Sequence, residues 1–290
     1  MKESPESMGF PAVAGPVKLS KAQKKAAKEA ASVSLSTSTS TSTSSKAEAA
    51  PKKPSMIRTL LDDVLTNPHI WLLAIAYFFV YVIRQGVTSW FVFYLKQRGA
   101  ANPAVAVSGL ELGGLVGSLS SGAISDALLR RNEARTAKDP SARPRGNLGL
   151  RVLVVVSYTL LTAVFLGAFA AAPVSTPPAL LWLLVSGVGF ALYGPQMLIG
   201  LCGAEAVPRH AVSAALGFLG WVSYLGAANA GVPLAALVQS KGWEAYFSAL
   251  IACCGIVVLL MVPMCLAPSW SQRERARVAA EQAAAEKKGA

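Results

Sequence analysis

Tyr77, Tyr81, Arg84 and Thr88 carry two phenols, a guanidinium and a hydroxyl at the spacing i, i+4, i+7, i+11. A helix would present them along a single stripe. The stripe lies inside an apolar run, approximately residues 68 to 97, that is long enough to cross a bilayer. A cation at that depth costs roughly 2.5 to 3.5 kcal/mol even on lenient insertion scales, so Arg84 is expected to bind or move something. It is far from either end of the run, which leaves its side chain no easy route to water. A guanidinium fork in such a place favours a bidentate oxyanion. Phosphate is the foremost ligand, and sulfate and carboxylate fit the same fork.

Other polar residues fall inside apolar runs. Glu111 stands in Gly109-Leu110-Glu111-Leu112-Gly113-Gly114-Leu115-Val116-Gly117. It either pairs with Arg84 before an anion arrives, carries a proton, or pairs with a neighbouring backbone. Gly109, Gly113 and Gly117, four residues apart, permit close helix contact. Downstream, Ser125-Asp126 followed by Arg130-Arg131 puts an acid and a basic pair at the membrane edge. There Asp126 can accept from a helix N-terminus and pair with a basic residue of the following loop, a latch that breaks when helices move. In Tyr193-Gly194-Pro195-Gln196 the Gly194-Pro195 pair interrupts the backbone ladder of a membrane helix, giving a place to bend. Gly217, Gly220, Trp221, Tyr224, Gly226 and Asn229 form a glycine-rich face on which Tyr224 is a candidate for a cavity wall.

The elements that must position these groups follow from composition. The 290 residues are 53% hydrophobic and only 14% charged, which excludes an ordinary soluble domain and indicates an all-α, polytopic membrane protein. The net charge of +12 does not point to nucleic acid, because the basic residues cluster between apolar runs. Six such runs are expected to span the bilayer, at about 68 to 97, 104 to 128, 148 to 172, 178 to 205, 210 to 239 and 243 to 268. The connection carrying Arg130, Arg131, Arg135, Lys138, Arg143, Arg145 and Arg151 is assigned to the cytosol, and alternation then puts both termini there as well. Residues 1–66 read as a basic, Ser/Thr-rich, disordered cytosolic linker. Residues 67–268 are the transmembrane domain, and 269–290 a charged cytosolic tail able to continue as a solvated helix. The membrane is either the plasma membrane or that of an organelle such as a plastid.

Cys202, Cys253, Cys254 and Cys265 lie in apolar runs without metal-ligand spacing and read as packing residues. His69 and His210 are placed at opposite-side membrane edges, away from any convincing nucleophile, so the chain reads as a non-enzyme with no cofactor.

Several stretches together resemble the C-terminal half of the organophosphate:phosphate antiporter family of the major facilitator superfamily. They are Phe79-Val80-Tyr81-Val82-Ile83-Arg84-Gln85-Gly86 with Trp90 and Tyr94-Leu95, Leu110-Glu111-Leu112-Gly113-Gly114, Ser125-Asp126, Tyr193-Gly194-Pro195-Gln196-Met197-Leu198-Ile199-Gly200, Gly217-Phe218-Leu219-Gly220 and Tyr224-Leu225-Gly226. The resemblance covers about residues 67 to 268 in order. It implies one six-helix half of a twelve-helix bundle that works by alternating access, with phosphate and a small organophosphate as ligands. It also implies that Arg84 is the second-half arginine of the phosphate site, with Tyr81, Glu111, Tyr193 and Tyr224 lining or gating the cavity. The first-half arginine, and the N-terminal six-helix half that would bear it, are expected as a missing partner.

This chain departs from the family pattern at Gln85 and Ser89, where many members carry a tyrosine and an acid. It also departs at Leu216 and Leu219, which align with a charged acid and lysine of hexose-phosphate transporters. The second departure tilts the expectation toward glycerol-3-phosphate. Two alternatives stand beside the antiporter: a sugar-phosphate-binding membrane sensor without transport, and a nonfunctional truncated half.

Overall fold

The computed structural model describes residues 56–100, 102–138 and 146–289. The Ser/Thr repeat, residues 1–55 of the expected linker, and Arg143 and Arg145 lie outside the described residues. All described elements are helical. A short lead-in, Met56–Thr59 continued by the wider π-helical turns of Leu60–Leu65, precedes the first long helix. Helix thus starts inside the stretch expected to be linker, because Leu60, Leu61, Val64 and Leu65 give it an apolar side and Val64 is fully buried.

Seven helices follow. They are α1 (Pro68–Gln97), α2 (Pro103–Lys138), α3 (Asn147–Ala171), α4 (Pro178–Ala206), α5 (Val212–Asn229), α6 (Val232–Met261) and α7 (Trp270–Gly289). The start of α1 is set by Asn67, whose side chain accepts from the His69 N–H at 3.1 Å, and by Pro68, which has no N–H to leave unpaired. Its end is set by Gly99, whose φ of 77° lets the chain turn back while Arg98 and Ala100 donate to the carbonyls of Tyr94 and Leu95.

α2 runs ten residues past the expected end at 128. With 36 residues it is about 54 Å long, against a hydrocarbon core of about 30 Å. Leu, Ala, Arg and Glu fill residues 127–135 almost without interruption, so nothing stops the helix where the apolar run stops.

Among the described residues five helical runs are long and apolar enough to cross a membrane: the first four are α1 to α4, and the fifth is one continuous run, Arg209–Glu281. That run supplies two crossings. Gly242, with φ 79° and ψ −176°, interrupts α6, and only glycine adopts this conformation without strain. Leu234 before the break and Leu250 after it both reach the bare face of Gly86. Sixteen residues of straight helix would hold them roughly 24 Å apart, so the chain reverses at Gly242. Six crossings result, as the apolar runs predict.

The helices are held by two apolar clusters. One, around Leu73, Val155, Leu198 and Met261, lies toward the end carrying the α2–α3 connection. The other, around Phe91, Phe169, Tyr246 and Phe247, lies toward the opposite end, with Phe91 and Phe169 stacked at 4.6 Å. Between α2 and α4 the backbones touch. A Cβ at Gly113 would overlap the carbonyl of Ser186, and one at Gly117 the carbonyl of Phe190. This close approach is the role expected of the glycine ladder, and it sets the distance between Glu111 on α2 and Tyr193 on α4.

Candidate anion site in the helical bundle

The stripe on α1 exists as read. Tyr77 and Tyr81 meet edge to face at 4.9 Å, and Tyr81 meets Tyr224 of α5 at 5.7 Å. The Arg84 guanidinium carbon lies 5.8 Å from the Tyr81 ring centre and 5.5 Å from that of Tyr193 on α4. Two π faces therefore stabilise the half-buried cation, each contributing about 0.5 to 2 kcal/mol. Arg84 Nε is buried without a hydrogen-bond partner, and so is the Thr88 hydroxyl one turn along. A guanidinium with an unsatisfied N–H is poised to accept an oxyanion, since the deficit costs free energy until a ligand removes it.

Glu111 is not the counter-ion of Arg84 in this conformation. The Tyr193 hydroxyl donates to its carboxylate, 2.8 Å from either oxygen, and no ion pair joins Glu111 to Arg84. The phenol thus bridges the two charges, its ring facing the cation and its hydroxyl the anion. Tyr77, Tyr81, Arg84, Glu111, Tyr193 and Tyr224 all join one cluster drawn from α1, α2, α4 and α5. Tyr224 is open to its surroundings, 70% exposed. Leu216 is exposed on α5 and Leu219 buried, and neither adds charge.

The second polar constellation lies where α2, α3 and α4 meet beside the α2–α3 connection. The partner of Asp126 is Arg151, whose Nη1 donates to Asp126 Oδ1 at 3.0 Å and to Ser125 Oγ at 2.9 Å, while its Nε donates to Glu205 Oε1 at 2.8 Å. Arg151 is 8% exposed. Arg130 and Arg131 are exposed and form no ion pair among the described residues. They follow Asp126 by four and five positions on the same helix, but α3 brings Arg151 in across the interface. Glu205 was not singled out from the sequence, although an acid in the last turn of an apolar run is a readable signal.

Gly194 packs under the Tyr158 ring, and Pro195 is buried inside α4, which passes through it without ending. The α4 terminus is tied down further: Ala206 O accepts from Asn67 Nδ2 at 2.9 Å and from Arg273 Nη2 at 2.8 Å. His210 pairs with Asp63 of the lead-in at 2.9 Å. These ties put His69 and His210 at the same end of the bundle, correcting their placement at opposite sides; the start of α1 and the α4–α5 connection are neighbours. The four cysteines are free. Among the described residues no group of three or more His, Cys, Asp or Glu side chains could hold a metal ion.

Six apolar crossings around an interior guanidinium define an integral, multi-pass membrane protein with a cation facing other helices. Residues 15–231 match the family model for the Major Facilitator Superfamily, and the chain belongs to that superfamily. It is 32% identical over 282 residues to the "Probable hexose phosphate transport protein" of Chlamydia trachomatis, covering 95% of this chain and 53% of that protein. It is 34% identical to the membrane sensor protein UhpC of Salmonella typhimurium, over 70% of this chain and 42% of the sensor. It is 31% identical to the glycerol-3-phosphate transporter of Haemophilus influenzae, over 65% and 39%. Within the superfamily the chain is organophosphate:phosphate antiporter-like. It spans about half the length of the curated relatives it matches. No solved structure matches it.

Proposed function

We propose that this chain is the second six-helix half of a carrier that exchanges a small organophosphate, such as glycerol-3-phosphate, for inorganic phosphate by alternating access. One observation carries the reading: the Arg84 guanidinium lies over the Tyr81 and Tyr193 rings with its Nε unpartnered, while Glu111 is engaged by Tyr193. The guanidinium is thereby left for a phosphate. Arg84 binds it, Tyr77, Tyr81, Tyr193 and Tyr224 line the way to it, and Glu111 holds Tyr193 in place. The arrangement at Asp126 and Arg151 closes one end and opens when α2 and α3 separate, with Arg130 and Arg131 on its solvent side and Gly194-Pro195 as the bend in α4. A first half bearing a second arginine completes the site. The reading assigns no catalytic step.

Counterflow tests this directly. Vesicles containing the chain together with a first half from a relative, loaded with inorganic phosphate, are expected to take up labelled glycerol-3-phosphate and to lose the uptake when internal phosphate is omitted. Uptake that is indifferent to internal phosphate would rule out exchange.

A second reading is favoured by the likeness to the sensor, which extends over 70% of this chain. In it the same site binds a sugar phosphate and signals without moving it. Saturable binding with no counterflow would select this reading.

The end of the bundle carrying Arg130, Arg131 and Arg135 faces the cytosol in this proposal, and both termini with it. On a cysteine-free background, Ser175→Cys is expected to react with an impermeant thiol reagent from outside, and Arg135→Cys only after the membrane is opened. The reverse pattern would invert the topology.

Glu111 modulates the site without creating it. Glu111→Gln keeps a hydrogen-bond acceptor for the Tyr193 hydroxyl but removes the charge, so phosphate affinity is expected to change by about fivefold or less, as for one neutral hydrogen bond. Loss of binding as complete as in Arg84→Ala would make Glu111 a primary ligand.

A further inference from the structure

Four helices end around one cavity of about 290 Å³, at the end of the bundle opposite the α2–α3 connection. α1 and α3 finish there, at Gln97 and Ala171, and α2 and α4 start there, at Pro103 and Pro178. Leu95, Val105 and Trp182 give it apolar walls, and Arg98, Asn102 and Thr176 are its polar lining. Arg84 lines no part of it, so this cavity stands apart from the proposed phosphate site.

Arg98 supplies the charge. Its Nη2 donates to Ala172 O, beside Pro173 and Val174 of the cavity wall, and its guanidinium carbon lies 5.1 Å from the Tyr94 ring centre. The cation therefore stands at the edge of the cavity. Among the described residues no acid pairs with it, its other N–H groups make no hydrogen bond, and no acidic side chain lines the cavity. The helix ends do not compensate it either. Each carries about half a charge, and here two C-terminal ends meet two N-terminal ends, so their fields largely cancel. The Asn102 side-chain amide makes no hydrogen bond among the described residues. The Thr176 hydroxyl donates to Pro173 O at 2.6 Å, which leaves its oxygen free to accept.

Depth decides what such a cavity takes. Arg98 is the first residue past the 30-residue helix α1, and Trp182 lies about one turn inside α4, where indole rings sit at the level of lipid headgroups. A cation at that level, beside apolar walls, suits a phosphate that carries a hydrophobic body, and a bilayer phospholipid has both. With no acid to receive an ammonium, the favoured headgroup is one whose phosphate bears only hydroxyls. We infer that this cavity binds the headgroup of an anionic phospholipid in the leaflet at that end. The phosphate sits on Arg98, the headgroup hydroxyls meet Asn102 and Thr176, and Trp182, Leu95 and Val105 cover the glycerol ester region.

The test is native mass spectrometry of the full chain in delipidating detergent, titrated with phosphatidylglycerol or with phosphatidylcholine of the same acyl chains. Phosphatidylglycerol is expected to bind several-fold more tightly. Arg98→Gln is expected to weaken it roughly tenfold, as for one lost charge-assisted hydrogen bond, and Asn102→Leu roughly threefold, as for a neutral one. Lys96→Gln removes the same charge from an exposed side chain outside the cavity and is expected to change nothing. If Arg98→Gln fails to fold, Asn102→Leu decides, because Asn102 has no side-chain hydrogen bond to lose. Equal binding of the two lipids, an unchanged affinity in the deciding variant, or an equal loss in Lys96→Gln would overturn the site. Displacement of phosphatidylglycerol by an equal concentration of glycerol-3-phosphate would overturn the lipid as occupant in favour of a free phosphate ester. None of these results bears on the phosphate site at Arg84.

Discussion

Arg84→Lys is expected to weaken phosphate recognition by about 1.5 to 3 kcal/mol, roughly 10- to 150-fold, while the protein still inserts and folds. Lysine retains the positive charge, so a site that needed only a cation would barely notice the change. What lysine lacks is the planar fork. The Arg84 guanidinium carbon lies 5.8 and 5.5 Å from the centres of the Tyr81 and Tyr193 rings, and a planar group can meet both rings while presenting N–H groups at its edge. An ammonium is compact and strongly hydrated, and it cannot offer two parallel donors to one phosphate. A second expectation follows from the same geometry. A dianionic phosphate ester carries more charge for the guanidinium to meet than a monoanion does, so affinity should rise with pH through roughly 6, where the second phosphate proton leaves. Phosphate displacement at pH 5 and pH 7.5, on unsubstituted and Arg84→Lys protein of matched expression, measures both. Unchanged affinity in Arg84→Lys would reduce Arg84 to a structural cation.

Arg151→Met is expected to produce the largest loss of stability. Arg151 is nearly buried and joins three helices through Ser125 and Asp126 on α2 and Glu205 on α4. Removing it leaves Glu205, whose side chain is 26% exposed, without its cation; Asp126, at 57%, is largely screened by solvent and contributes little. The loss is therefore dominated by the Glu205 side and comes to about 2 to 4 kcal/mol, below the full cost of breaking a fully buried pair. The unfolding midpoint in detergent should fall accordingly, and Arg151→Met combined with Glu205→Gln should recover part of the loss by removing the stranded charge. An unchanged midpoint in Arg151→Met would show that the three-helix junction contributes nothing measurable. The same junction must open for the bundle to open at that end, so Arg151→Met should also raise accessibility of Ser125→Cys to thiol reagents.

The residues proposed to carry the chemistry are legible without coordinates wherever the cost of their placement is local. A guanidinium far inside an apolar run is expensive whatever surrounds it, and so Arg84 declares itself in the sequence alone. The four-residue spacing of Tyr77 and Tyr81 and of Gly109, Gly113 and Gly117 is equally local, because helix periodicity turns spacing into a shared face. The six crossings follow from length and apolarity in the same way, and the family motifs single out Tyr193 and Tyr224, which the fold brings beside Arg84 and Tyr81. α2 outruns its apolar run, continuing to Lys138, because an apolar run reports where hydrocarbon ends, whereas a helix ends only where residues break it.

Pairing is what tertiary structure decided. From the sequence, Glu111 had Arg84 as an available partner and Asp126 had every basic residue of the connection from Arg130 to Arg151. In the fold Glu111 meets Tyr193, because the bare glycines of α2 let α4 approach to backbone contact, and Asp126 meets Arg151, because α3 passes α2 there. The two histidines share one end of the bundle for the same reason, through ties from Asn67 to Ala206 and from Asp63 to His210. Depth and face depend on a residue's own helix and can be read along the chain. A partner across an interface depends on how closely two backbones approach, and that is a property of the packed bundle.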